Sequence, residues 1–66
     1  MNRIKEVLIE KGKTQTWLAE NLEKSYNMVN SYVANRRQPS LEVLYRIAEI
    51  LNVDIKELII SNRIKI

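Results

Sequence analysis

Apolar residues recur at intervals of three and four along most of the chain, the spacing of one buried face of an α-helix. Ile4, Val7 and Leu8 form the first such stripe, which stops near Gly12. Thr14 suits the N-cap of a second helix, in which Leu18, Ala19 and Leu22 share a face. Ser25 can cap a third helix that runs to about Asn35, where an asparagine can take the left-handed conformation that closes a helix. Pro39 disfavours helix at the residue before it. Ser40 then caps a fourth helix, whose Leu41, Leu44, Ile47, Ala48 and Leu51 make the cleanest apolar stripe in the chain. Asp54 and Glu57 have the spacing of a capping box and open a short fifth helix through Leu58 and Ile59. The pattern predicts an all-α domain. It changes only in residues 61–66, where Ile64 and Ile66 alternate with Arg63 and Lys65 in the period of a strand. This tail reads either as a frayed end or as a strand that pairs with a second copy.

With 66 residues there is room for a single domain, covering 1–66 with its core in about 3–60, and for a modest core in which each long apolar side chain matters. The chain has no cysteine and no histidine. That removes disulfides, thiolate and imidazole zinc sites, and the usual pairings of nucleophile and base. The remaining carboxylates are scattered and form no convergent acid and base set, so an enzyme is not expected, and neither is a cofactor or a metal. Val7, Leu8 and Ile9 are the longest apolar run near the start, far too short for a signal-peptide core or a membrane span. The expectation is a soluble cytoplasmic protein.

Net charge is +3, and its distribution says more than its size. Residues 1–37 carry seven cations against four acids, whereas residues 38–66 carry four of each. The excess therefore lies wholly in the first part, as expected if that part faces a polyanion.

The third helix sharpens this. Residues 25–35 are eleven consecutive positions without a charge, followed directly by Arg36 and Arg37. At 100° per residue, Val29, Tyr32 and Val33 fall on one side, while Asn27, Asn30, Ser31 and Ala34 cluster on the other. A helix that merely faced water would carry lysine, glutamate and glutamine, which are better helix formers than asparagine or serine. Short amides and hydroxyls instead allow close approach, offer donors and acceptors, and bring no carboxylate to repel phosphate. Such a face suits the major groove of DNA, where an asparagine amide can pair with the N6 and N7 edge of adenine. Arg36 and Arg37 would then meet the sugar-phosphate backbone as the chain leaves the groove. Gln15, in the first turn of the preceding helix, could hold a phosphate with its amide and the free N–H groups there.

The segments "TQTWLAENL", "RRQPSLEVLYRIAEILNV" and "DIKEL" resemble the helix-turn-helix family of lambda-type repressors, Cro and the xenobiotic-response-element (XRE) regulators, without a gap over residues 2–59. The resemblance implies a five-helix lambda-repressor-like DNA-binding domain. Its helix-turn-helix motif would comprise helix two and a recognition helix three over about 26–34. It implies base contacts at Tyr26, Asn27 and Ser31, with Asn30 beside them, and phosphate contacts at Gln15, Arg36 and Arg37, joined by Asn35 and Gln38. Its core positions fall on Leu18, Ala19, Leu22, Val29, Tyr32, Leu41, Leu44, Ile47, Ala48 and Leu51. Three residues depart from the family pattern. Glu23 stands where the turn usually has glycine, so a retained turn forces a left-handed glutamate costing about 1 kcal/mol or more. Lys24 replaces a residue that is usually apolar. Trp17 takes a place that is commonly an exposed glutamate, and either covers the edge of the core or stacks beside a sugar.

One such domain offers few contacts, so the expected form is a homodimer whose two recognition helices enter successive major grooves of a near-palindromic operator, about 34 Å apart. The expected interface is the fifth helix with the tail, through Ile55, Ile59, Ile60, Ile64 and Ile66, more isoleucine than so small a core needs. The function expected is a DNA-binding transcriptional regulator. The alternative is a helical interaction module, such as an antitoxin whose main role is to bind a partner protein, a toxin. No membrane and no small-molecule ligand enters either reading.

Overall fold

The structure, a computed structural model, describes residues 1–59. It forms helices α1 (Ile4–Lys11), α2 (Gln15–Leu22), α3 (Tyr26–Val33) and α4 (Leu41–Leu51), then a 3-10 turn (Ile55–Leu58). The tail residues 61–66 and Ile60 lie outside the described residues.

Each predicted N-cap serves as one. Thr14 Oγ1 accepts from the Trp17 N–H at 3.0 Å, Ser25 Oγ from Met28 at 3.1 Å, and Ser40 Oγ from Val43 at 3.2 Å. These bonds satisfy N–H groups that the first helical turn cannot pair, and fix where each helix begins. The helix ends are closed by left-handed residues: Gly12 (φ 68°), Glu23 (φ 60°), Asn35 (φ 61°) and Asn52 (φ 58°). The departure at Glu23 has therefore not reshaped the turn. The chain keeps the left-handed angle with a glutamate, and the Lys24 N–H reaches back to the Ala19 carbonyl at 3.1 Å. Arg46 secures the same end from α4, its guanidinium donating to the Leu22 carbonyl at 3.2 Å.

The core is built where α2 packs against α3 and α4, with α1 and the 3-10 turn closing the far side. Ile4, Leu18, Leu22, Val29, Ile47 and Leu58 are wholly buried. Truncating a side chain of this kind to alanine costs about 2–5 kcal/mol, so they dominate the stability of a domain this small. Trp17 lies partly buried against this core, which answers the question of its placement, and Lys13 Nζ sits 4.8 Å from the centre of its ring.

One expectation is corrected, and the short fifth helix is present in a tighter form. Leu41 was expected in the core and is 63% exposed. On a helical projection it falls at the edge of the α4 stripe, on the side of the exposed Tyr45 rather than that of Leu44, Ile47 and Leu51. The fifth helix is a single 3-10 turn. Asp54 caps it by accepting from Lys56 N–H at 3.0 Å. Ile59 then turns extended (φ −113°, ψ 134°) and pairs with Asn2 in an antiparallel bridge, which leaves no length for an α-helix.

Candidate nucleic-acid interface

The tight turn at Glu23 and the two Ser/Thr caps set α3 across α2, so that the buried side of α3 (Val29, Tyr32, Val33) locks onto the core. Its other side is then necessarily outward. Tyr26 is 50% exposed, Asn27 and Ala34 are exposed, and Asn30 and Ser31 are half-buried. The expected base-contacting residues thus share one surface. Their polar atoms are not equally free. The Asn27 amide makes no hydrogen bond among the described residues, while Ser31 Oγ donates to the Asn27 carbonyl at 3.1 Å and keeps its lone pairs for an incoming donor.

Both polar atoms of the Asn30 amide are engaged, each in one bond. Its Nδ2 donates to Gln15 Oε1 at 2.9 Å and its Oδ1 accepts from Arg36 Nη2 at 2.7 Å. One amide thereby bridges the first turn of α2 and the loop after α3. Arg37 is exposed, with no hydrogen-bond partner for its guanidinium among the described residues. Gln15 and Arg36 consequently stand side by side at the Asn30 amide with unspent N–H donors, and Arg37 follows in the loop after α3.

Asn35 and Gln38 are placed differently. Asn35 Oδ1 accepts from the Asn2 backbone N–H at 2.8 Å and from Gln38 Nε2 at 3.1 Å, and Asn35 Nδ2 donates to the Asn2 carbonyl at 3.2 Å. Asn2 Nδ2 donates both to the Tyr32 carbonyl at 3.0 Å and to Gln38 Oε1 at 3.0 Å. Its Oδ1 accepts from the Ile4 N–H at 3.0 Å, so one side chain caps α1 and the last turn of α3 together. Asn2 is 4% exposed, the only polar residue in the core among the described residues. Sequence reasoning did not find it. Its one signal was a polar residue directly ahead of the first apolar stripe.

Of the expected interface isoleucines, Ile55 packs partly buried against the core and Ile59 is 43% exposed; Ile60, Ile64 and Ile66 lie outside the described residues. Among the described residues no group of acidic side chains could hold a metal ion, and no helix is long and apolar enough to cross a membrane.

Two short helices joined by a tight left-handed turn, the second presenting a polar outer face, define a helix-turn-helix unit. The helix-turn-helix family model matches residues 4–58, nearly the whole described chain, and the protein belongs to that family, in its XRE-type branch. The chain is also similar to the crystal structure of a candidate DNA-binding protein from Bacteroides fragilis. The two are 50% identical over 88% of this chain and 94% of that one, with a TM-score of 0.86. No curated protein matches.

Proposed function

We propose that the protein is a sequence-specific DNA-binding transcriptional regulator that lays α3 in the major groove. The observation that carries this reading is the outer face of α3, where Asn27 holds an unpartnered amide three residues ahead of the Asn30 amide that joins the donor-rich Gln15 and Arg36, with Arg37 following. The groove admits a helix, and an asparagine amide matches the adenine edge with both a donor and an acceptor. In this arrangement Asn27 reads a base, with Tyr26 and Ser31 beside it. Gln15, Arg36 and Arg37 hold phosphates, which fixes the register of the helix without reading sequence. Asn35 and Gln38, whose amides engage Asn2, shape the loop that carries the arginines. The role is one of binding, not catalysis. The family match and the similarity to a candidate DNA-binding protein support it.

A single recognition helix buries too little surface for a tight site, so the active form is a two-fold dimer on a near-palindromic operator, assembled through the exposed Ile59 and the isoleucines that follow it. Selecting bound sequences from random duplex DNA tests both statements at once. Two inverted half-sites separated by about one helical turn are expected; an unrelated pool would reject the reading. A second reading, a module that binds a partner protein such as a toxin, draws on the exposed Leu41 and on the exposed Tyr45, which lines a cleft with Ala48, Val53 and Ile55. It predicts that changing Leu41 and Tyr45 abolishes activity while Asn27→Ala leaves it intact.

A further inference from the structure

Asn30 lies on the outer flank of α3, beside the residues assigned to base reading, yet its hydrogen bonds assign it another task. An amide that reads adenine must offer its own N–H and its own oxygen to the base. In Asn30 the oxygen accepts from Arg36 at 2.7 Å and the nitrogen donates to Gln15 at 2.9 Å, so one N–H and one lone pair remain on an amide whose orientation is already set by neighbours within the protein. All donation in this relay runs one way, from Arg36 through Asn30 to Gln15. Because Gln15 accepts through Oε1, its remaining amide atoms are the two N–H groups of Nε2, and these have no partner among the described residues. At the other end Arg36 gives up one of five N–H donors and keeps the rest. Each terminus of the relay is thus left presenting donors, which is what a phosphate oxygen accepts. The guanidinium charge also polarises the amide between them and strengthens its bond to Gln15.

We propose that Asn30 is a positioning residue rather than a base reader: its amide sets Gln15 and Arg36 in advance as two neighbouring phosphate-binding groups, one on either side of that amide. The inference rests on the DNA-binding reading given above. Holding a long side chain in its bound geometry before association removes the ordering cost of binding, worth about two- to tenfold in affinity for each side chain so held.

The test is a set of titrations of the full chain on its selected duplex and on random duplex, over a range of salt. Asn30→Ala is expected to weaken binding to both duplexes by the same factor, about 5- to 20-fold, leaving the ratio between them unchanged. Added to Gln15→Ala/Arg36→Ala, it should change affinity by less than about twofold, because the groups it positions are gone. A loss confined to the selected duplex that persists in the doubly substituted background would make Asn30 a base reader and overturn the proposal. A second measurement needs no variant. In the free protein the Asn30 side-chain amide protons should exchange with water more slowly than those of Asn27, and equal exchange would also overturn it. Absence of any duplex binding by the unsubstituted chain would instead reject the DNA-binding reading itself.

Discussion

The side-chain amide of Asn2 donates to the backbone carbonyl of Tyr32, thirty residues away in sequence, at 3.0 Å in a buried setting. Through this contact the N-terminal segment ties down the last turn of the recognition helix, which the Asn35 N–H also caps at the same carbonyl. The same residue pairs its backbone with Ile59, so α3, the N-terminal segment and the end of the described chain meet at one place. Asn2→Ala would leave the Ile4 N–H without a partner, while the Tyr32 carbonyl would keep only its bond from the Asn35 N–H at 3.1 Å. The cost of stranding buried groups is about 1–3 kcal/mol, and urea unfolding should show that loss. A change below about 0.5 kcal/mol would mean that water or a backbone shift replaces the bonds.

Glu23 holds a left-handed backbone, φ 60°, at the turn between α2 and α3. Relief of the Cβ penalty outweighs the chain entropy that glycine adds to the unfolded state, so Glu23→Gly should stabilise the domain by about 0.5–1 kcal/mol. In a domain of this size that raises the melting temperature by about 3–6 °C. A fall in the melting temperature would show that the Glu23 side chain contributes something glycine cannot.

Asn27 is the amide left free on the outer face of α3. Asn27→Ala should cost about 1–3 kcal/mol on the preferred duplex and little on random sequence. Equal losses on both would take the base-reading role away from it.

Arg37, exposed and unpaired among the described residues, is expected to touch phosphate. Replacing it with alanine should weaken binding to all sequences alike and lower the slope of log affinity against log salt by about 1. An unchanged slope would place its guanidinium away from the backbone.

Ile59 is 43% exposed at the proposed two-fold contact. Ile59→Glu would bring two carboxylates together across such an interface and should yield monomers in sedimentation equilibrium while leaving the helical signal in circular dichroism unchanged. Retained self-association would move the contact elsewhere.

Local chemistry made most of the fold legible. Thr14, Ser25, Ser40 and Asp54 each bond to an N–H two or three residues ahead, so the sequence carries both partners of the bond within one turn. The buried residues of α2 and α3 followed from helical period alone. What escaped was set by tertiary placement. Nothing near Asn2 in sequence announces that it meets Tyr32, Asn35 and Gln38, because those partners arrive only when α3 docks. Leu41 has the right period but lies at the edge of its stripe, where a side chain's burial depends on whether a neighbouring helix reaches it. The same limit applies to Asn30. Its place on the polar flank could be read from spacing, whereas the engagement of both its amide atoms depends on α2 and the loop after α3 standing on either side of it.

The single tryptophan of the chain stands in the first turn of α2, two residues from Gln15, with the Lys13 ammonium 4.8 Å from its ring centre. Indole emission responds to a nearby cation, and a polyanion docking at this end of α2 would compete for that lysine. The molecule therefore carries its own optical gauge: a shift in fluorescence on adding duplex, absent when Lys13 is replaced by methionine, would report engagement with no dye attached.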